Sequence, residues 1–317
     1  MKNANNFLLK ILVLSALFTG YTCKANDVKI LSPEGYLSNE FISDFEKSSG
    51  LKITNTHYFN ASTRDNLITN PENLSSFDVV ITDEKSSVDI YSQNAKQGIT
   101  PLSSVNEDFF SRYSVYTSSY FYGVAANKDK LSNISNWNDF FNLSPVEKGA
   151  LQLDDEYDVV MLAAIRSSDK NKRKIENFND ITIAGRNFFR FTQKLSPYFG
   201  DPLIAQSMGK SIYLTNYSKY LKLKKIDAKL EFKLVGSSPI EKKMHAFITP
   251  KNSNSGRLFL SYINNNNKNI TGSDAFLKEN VDSLSREKSD NQLFLSERAI
   301  EMRINYVYER MINATFY

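Results

Sequence analysis

Polar and charged side chains recur in four short loops, each following an apolar run that is typical of a buried strand. These runs end near Leu31, Ile81, Leu153 and Leu214. Ligands of open α/β sheets bind beyond the carboxyl ends of the strands, so we expect the four loops to meet at one ligand site. The candidate ligand-binding residues, two from each loop, are Glu34, Tyr36, Asp83, Lys85, Asp155, Glu156, Thr215 and Asn216.

The acids in these loops favour a small cation as the ligand. Carboxylates hold an ammonium group through charge-assisted hydrogen bonds, and an aromatic face such as that of Tyr36 adds a cation–π attraction. Two observations leave other interpretations open. Acids before a helix also act as caps, as residues 154–156 would, and Lys85 would repel a cation or neutralise a neighbouring acid.

Signatures of catalysis are missing from the sequence. It has no phosphate-binding glycine loop, no paired-histidine metal motif and no Gly-x-Ser-x-Gly turn. The two histidines, His57 and His245, are far apart and lack neighbours with metal-ligand spacing. The only cysteine, Cys23, lies in the N-terminal segment. We therefore expect a protein that is not an enzyme, with no cofactor and no metal site.

The elements that must position the loops alternate between strands and helices. In the first half, apolar runs and helical spacing predict strands at 28–31, 51–54 and 77–81 and helices at 39–48, 62–69 and 86–96. In the second half they predict strands at 121–126, 150–153, 211–214, 230–235 and 244–248 and helices at 136–141, 158–165 and 177–194. After Pro250 the pattern is mostly helical, at 257–263 and 296–312. Such alternation predicts a parallel or mixed sheet covered on both faces.

Two α/β stretches separated by extended runs near Ala125 and Phe247 predict two lobes, between which the chain crosses at least twice. We expect residues 26–124 and 249–317 to form lobe 1 and residues 125–248 to form lobe 2. The crossings are expected near 122–127 and 244–249. One continuous sheet through both halves would contradict this prediction.

The first 25 residues have the pattern of a secretory signal peptide. Lys2 precedes an apolar run from Phe7 to Phe18, and Cys23-Lys24-Ala25 offers a cleavage position after Ala25. A lipoprotein signal centred on Cys23 is the alternative, although Thr22 before it is a poor match. No later segment has about 18 consecutive apolar residues, so no membrane helix is expected.

Charge balance argues against a nucleic-acid partner. The chain has 39 basic and 35 acidic residues; removing Lys2, Lys10 and Lys24 with the signal leaves 36 against 35, a net charge of +1. Most of the net positive charge of the whole chain therefore belongs to the signal segment, and the remaining chain implies no basic surface.

Seven segments in a fixed order carry a family pattern between Val28 and Tyr262. They are Val28-Lys-Ile-Leu31, Phe41-Ile-Ser-Asp-Phe45, Ser48-Ser-Gly-Leu-Lys-Ile53, Phe77-Asp-Val-Val-Ile81, Asn136-Trp-Asn-Asp-Phe-Phe141, Lys148-Gly-Ala-Leu-Gln-Leu-Asp-Asp155 and Ala246-Phe-Ile-Thr-Pro-Lys-Asn252. In these segments the chain resembles the periplasmic spermidine/putrescine-binding proteins of ABC transporters.

The resemblance implies a two-lobed α/β fold of the periplasmic-binding-protein-like (type II) class, with hinge-crossing strands. It implies a monomer in the periplasm that binds a polyamine-like solute and delivers it to an ABC permease. Several typical ligand residues differ here: Pro33 and Thr215 stand at Trp positions, and Lys242 and Met244 lie near the late Trp and Asp. The other functions we consider are a periplasmic sensor that partners a membrane signalling protein, a related binder of another small solute, and a non-binding structural partner.

Overall fold

The computed structural model describes most of the chain between residues 27 and 270. The described ranges are 27–83, 86–102, 112–144, 151–153, 198–236 and 240–266, with single positions at 159, 160, 163, 167 and 270. Several predictions lie outside these residues: the signal peptide at 1–25, the helices at 177–194 and 296–312, and the site residues Lys85, Asp155 and Glu156.

The described elements are nine strands and nine helices. The strands are β1 (Val28–Pro33), β2 (Ile53–Tyr58), β3 (Val79–Asp83), β4 (Ser114–Asn127), β5 (Leu151–Leu153), β6 (Tyr198–Phe199), β7 (Ile212–Asn216), β8 (Leu230–Lys233) and β9 (Ile240–Ile248). The helices are α1 (Asn39–Ser49), α2 (Ala61–Thr69), α3 (Pro71–Leu74), α4 (Val88–Lys96), α5 (Lys128–Leu131), α6 (Trp137–Phe141), α7 (Pro202–Ser207), α8 (Tyr217–Ile226) and α9 (Asn254–Asn266).

The first lobe is built around parallel strands in the order β2-β1-β3. Its first helix, α1, has a clear start and end in the sequence. The side chain of Ser38 accepts a hydrogen bond from the backbone N–H of Phe41, and Gly50 ends the helix in the left-handed conformation. The buried face of α1 carries Phe41 and Phe45, whose rings pack against Phe259 of α9. The late helix α9 therefore returns to the first lobe.

Two long antiparallel strands, β4 and β9, connect the lobes. At its C-terminal end, β9 pairs with β3, so that Asp83 lies opposite Met244. At its own C-terminal end, β4 pairs with β7 and with β8. The crossing therefore lies where β4 and β9 pair only with each other, from Ser119 to Phe121.

The second lobe continues the sheet through β7, β5 and β6, which are parallel to one another, while β8 extends the other side of β4. The chain approaches itself closely at Gly123, where a Cβ atom would collide with the carbonyl oxygen of Lys233 in β8. Only glycine fits between β4 and β8 at this point.

The hydrophobic core follows the division into lobes. One pair of clusters lies on the two faces of the first lobe, around Phe41 and Val80. Another pair covers the two faces of the second lobe, around Phe140 and Tyr213. The predicted α/β class with two lobes and crossing strands is confirmed.

Three expectations about the strands need correction. The lobes share one hydrogen-bonded sheet, because β4 and β9 pair with each other as they cross. Strand β3 begins and ends two residues later than predicted, and β7 ends two residues later. The two strands therefore include Asp83, Thr215 and Asn216, since neighbouring strands continue beside them. The crossing also lies earlier in β4 than the predicted 122–127. The lobe boundaries 26–124 with 249–317 and 125–248 stay a prediction, and the pairing of Met244 with β3 favours a boundary before that residue.

Candidate functional site

A cleft lies between the lobes. On one side are the carboxyl ends of β1, β2 and β3, and on the other are the carboxyl end of β7 and the helices α7 and α8. It holds about 780 Å³ of empty space, including the solvent at its mouth. The lining residues from the first lobe and the crossing strands are Pro33, Glu34, Tyr58, Phe59, Asn60, Arg64, Asp83, Tyr120, Tyr122, Lys242 and Met244. Those from the second lobe are Asp201, Leu203, Asn216, Ser218, Lys219 and Lys222.

The floor of the cleft carries a buried group of charges around Asp83. One carboxylate oxygen of Asp83 lies 2.9 Å from the guanidinium of Arg64 and 3.5 Å from the ammonium of Lys242. The three side chains are only 3%, 5% and 7% exposed, respectively. Asp83 also accepts hydrogen bonds from the backbone N–H and the hydroxyl of Ser86. The carboxylate of Asp83 is thus engaged within the protein.

The strand register explains why Lys242 reaches Asp83. Asp83 is the last residue of β3 and lies opposite Met244 in β9. Side chains two residues apart on a strand share a face, so Lys242 lies on the face of Met244, just past the end of β3. From there its ammonium group reaches the carboxylate.

Helix α2 positions Arg64 at the same edge of the sheet. The helix begins directly after β2, where the side chain of Asn60 accepts a hydrogen bond from the backbone N–H of Thr63. Arg64 follows within the first turn. Its Nε also contacts Asp65 at 2.8 Å, and that carboxylate is 42% exposed.

The opposite wall is formed by helix α8, which starts without an intervening loop at the end of β7. The side chain of Asn216 accepts a hydrogen bond from the backbone N–H of Lys219 and so caps the helix. Lys219 and Lys222 share a face of α8 because they are three residues apart. Lys222 contacts the carboxylate of Glu34 at 2.6 Å, and this ion pair spans the cleft between the lobes.

Aromatic and apolar side chains line the rest of the cleft. Phe59 is 60% exposed at the end of β2 and lines the cavity from the first lobe. Leu203 lines it from the second lobe. Tyr120 and Tyr122 come from the crossing strand β4. The cleft therefore offers apolar surface beside its charged groups, as small-molecule sites generally do.

The structure brings together some of the predicted site residues. Glu34, Asp83 and Asn216 line the cleft. Tyr36 is 2% exposed; its hydroxyl hydrogen-bonds with those of Thr117 and Ser118 in β4, and its ring packs edge-on against Tyr120. Tyr36 thus supports the crossing strand behind the cleft.

Thr215 is fully buried in β7 and is not among the residues that line the cleft. The remaining predicted site residues, Lys85, Asp155 and Glu156, lie outside the described part of the chain. The roles of all eight candidates in binding a ligand stay a prediction.

Sequence reasoning missed the basic side chains of the cleft, namely Arg64, Lys219, Lys222 and Lys242. One local signal was present in the sequence. Helices α2 and α8 have no acid in the first turn and carry Arg64 or Lys219 near their N-terminal ends. Cations are disfavoured there by the helix dipole, which suggests that another partner holds them.

The three acids on the described cleft wall all have partners within the protein. Asp83 contacts Arg64 and Lys242, and Glu34 contacts Lys222. Asp201 accepts a hydrogen bond from the backbone N–H of Leu203 at the start of α7. The described residues that line the cleft thus include four basic side chains and three acidic ones.

Within the described ranges, no three His, Cys, Asp or Glu side chains come close enough to hold a metal ion. Over the same ranges, no helix combines the length and the apolar character that crossing a bilayer requires.

The fold is similar to that of solved substrate-binding proteins of ABC transporters. No family model and no curated protein matches the sequence. Several solved structures do match across nearly their whole length. PotD of Streptococcus pneumoniae, a spermidine/putrescine transporter protein in complex with calcium and HEPES, is 12% identical with a TM-score of 0.60, and the match covers 90% of this chain and 98% of PotD.

Two further structures show the same likeness. The TpPotD lipoprotein of Treponema pallidum is 12% identical with a TM-score of 0.62, over 90% of this chain and 99% of its own. The periplasmic binding protein AgtB of A. tumefaciens R10, in complex with agropinic acid, is 15% identical with a TM-score of 0.63, over 92% and 99%. The resemblance to spermidine/putrescine-binding proteins is thereby confirmed at the level of the fold.

Proposed function

We propose that this protein binds a small solute between its lobes and delivers it to an ABC permease. One observation carries the proposal: the carboxyl ends of strands from two lobes face each other across a cleft, and both walls present polar and charged side chains. The crossing strands β4 and β9 are suited to act as a hinge, so the lobes can close over a ligand.

The periplasm is the compartment we propose. The apolar N-terminal run with small residues at Cys23 and Ala25 supports export. Structural neighbours of this chain are described as periplasmic binding proteins. N-terminal sequencing of the exported protein should give a start at Asn26, whereas a lipidated Cys23 at the mature terminus would contradict the soluble form.

Binding without catalysis is the activity we propose. Two structural neighbours are described as ABC transporter substrate-binding proteins, and the sequence lacks a nucleophile, metal or phosphate motif. Formation of more than one equivalent of product from any small substrate would overturn this part of the proposal.

A polyamine-like ligand is the more specific prediction that the sequence resemblance supplies. PotD of Streptococcus pneumoniae, which is described as a spermidine/putrescine ABC transporter substrate-binding protein, has a similar fold. Because Asp83 and Glu34 are engaged by basic side chains, a polyamine would depend on Asp155 and Glu156. Calorimetry of the ligand-stripped protein with spermidine and putrescine, on wild type and Asp155→Ala, tests this dependence.

The proposal of solute binding is tested by native mass spectrometry of the protein purified from its own periplasm. We expect a bound small molecule at one equivalent, lost after unfolding and refolding. As a control, the stripped protein returned to a periplasmic extract should regain the same mass shift. If neither sample carries a small molecule, the solute-binding function is wrong.

A further inference from the structure

An ion pair joins the two lobes across the cleft. The ammonium group of Lys222 lies 2.6 Å from the carboxylate of Glu34, although the two residues are 188 positions apart in the chain. Glu34 follows β1 of the first lobe, and Lys222 belongs to α8 of the second. The contact therefore forms when the lobes are close together and breaks when they separate.

The first lobe holds the backbone of Glu34 in place. Its N–H donates to the carbonyl oxygen of Tyr58 at 3.1 Å, which continues the pairing of β1 with β2. Gly35 then adopts the left-handed conformation, with a φ of 70°, and turns the chain. The next residue, Tyr36, is hydrogen-bonded through its hydroxyl to Thr117 of β4. Glu34 is thus fixed to the sheet on both sides of its position in the chain.

Helix α8 holds the backbone of Lys222 in the second lobe. The side chain of Asn216, at the end of β7, caps the start of this helix. Tyr220 and Leu223, which flank Lys222 in the sequence, are buried in a core cluster of the second lobe. Because both partners are anchored at the backbone, the lobes cannot move apart by more than the reach of two side chains without breaking the pair.

The effect of this pair on lobe closure is modest in size and depends on salt. The side chains of Lys222 and Glu34 are 39% and 48% exposed. Exposed ion pairs typically change an equilibrium constant by no more than about fivefold, and dissolved salt screens them. A factor of this size shifts the balance between open and closed molecules while leaving closure reversible.

We propose that Glu34 and Lys222 are positioning residues, whose ion pair holds the lobes closed over the cleft and makes closure sensitive to salt. This inference rests on the proposed solute-binding function, since a closed cleft retains a solute. Glu34 then acts on the ligand through the position of the lobes.

The test measures the separation of the lobes in the ligand-stripped mature protein. Cys23 is the only cysteine of the chain, so a mature protein that starts at Asn26 has none, and two introduced cysteines can be spin-labelled selectively. Lys47→Cys in α1 and Lys128→Cys in α5 place exposed labels on the first and the second lobe. Distances measured by double electron–electron resonance then give the ratio of closed to open molecules.

Four variants are compared with wild type in this labelled background. Lys222→Met removes the pair, Lys222→Glu brings two carboxylates together, and Glu34→Lys combined with Lys222→Glu reverses the pair. Lys52→Met is the matched control, because Lys52 forms an ion pair of 2.8 Å with Glu46 inside the first lobe. Glu34→Gln supplies the same measurement from the first lobe if a variant of Lys222 does not fold.

We expect the closed fraction of wild type to fall as salt rises from about 0.01 M to about 1 M, because the screening length shrinks from about 30 Å to about 3 Å. At low salt, Lys222→Met should lower the ratio of closed to open molecules by about twofold to fivefold. Lys222→Glu should lower it further, and the reversed pair should return it to near the wild-type value. Lys52→Met should leave the ratio unchanged.

Three results would overturn the inference: a wild type that is fully open without ligand, equal ratios for wild type, Lys222→Met and Lys222→Glu, or a reversed pair that opens as far as Lys222→Glu alone. Each of them leaves solute binding intact, because that function is judged by the small molecule that the native protein carries. Conversely, the expected change of ratio in a protein that carries no small molecule supports the role of the ion pair in closure and refutes solute binding.

Discussion

Replacing Asp83 by Asn should destabilise the protein far more than its small change in shape suggests. The substitution keeps the size of the side chain and removes its charge. Arg64 and Lys242, which are 5% and 7% exposed, would then lose the charged carboxylate that they share. The hydrogen bonds from Ser86 to the two oxygens of Asp83 would also be weakened, because the amide offers only one acceptor oxygen.

The magnitude follows from the burial of the group. Breaking a buried ion pair by removing one partner costs about 3 to 5 kcal/mol, because an uncompensated charge remains inside the protein. At about 2 to 4 °C per kcal/mol for chains of this size, the melting temperature should fall by roughly 6 to 20 °C. Asp65→Asn is the matched control, since Asp65 contacts the same Arg64 at 2.8 Å but is 42% exposed. Its cost should stay under about 1 kcal/mol.

The assay is thermal unfolding followed by circular dichroism, with the fluorescence of Trp137 as a second signal. Trp137 is the only tryptophan and is buried in the core of the second lobe, so its emission also reports whether the second lobe of each variant is folded before heating. Equal melting temperatures for Asp83→Asn and Asp65→Asn would refute the argument that burial determines the cost. A decrease of less than about 4 °C for Asp83→Asn would refute it too.

Three further predictions concern the ion pair across the cleft, the close approach of two strands in the sheet and the pH dependence of stability. Lys222→Met removes the exposed pair with Glu34 across the cleft, so the apparent Kd for the natural ligand should rise by no more than about fivefold at low salt; a fiftyfold loss in calorimetry would contradict this. Gly123→Ala brings a Cβ against the Lys233 carbonyl and should lower the free energy of unfolding by about 1 to 3 kcal/mol; an unchanged urea midpoint would show that the strands can separate at no cost. Burial, followed by the charge of Asp227, raises the pKa of Tyr213 from 10.0 to about 12. The stability that Tyr213 contributes is complete below pH 10 and decreases between pH 10 and 12. The urea midpoint of Tyr213→Phe should therefore depend less on pH in that interval, and parallel curves for the two proteins would count against the role of Tyr213.

The sequence predicted the regular elements wherever local pattern and burial agree. The run around Val79 reads as a buried strand because all residues of β3 are buried. Helix α1 was predicted almost to the residue, because its N-cap at Ser38 and its end at Gly50 are local chemistry. The crossing strand β4 was predicted only at 121–126, since in its first half only Ser114 and Thr117 are buried and no apolar run marks a strand. Helix α8 was missed because its lysine-rich sequence has only a weak apolar face.

The residues of the candidate site were likewise predicted where the local pattern reveals them and missed where it does not. The sequence placed Glu34, Asp83 and Asn216 at one edge of the sheet, because strand ends and their loops are readable from local pattern, and the cleft contains all three. Their charge partners could not be read in this way. Arg64 comes from a helix after another strand, and Lys242 from a strand that returns late in the chain.

Tertiary structure thus decided the electrostatic character of the described cleft. Acids at strand ends suggest cation binding when they are considered alone, but a carboxylate attracts a ligand only to the extent that the protein leaves it uncompensated. The register of β9 beside β3 determines that compensation, because it brings Lys242 to Asp83. Coulomb energy depends on distance and on burial, and neither of these is determined by the order of residues along the chain until distant strands have paired.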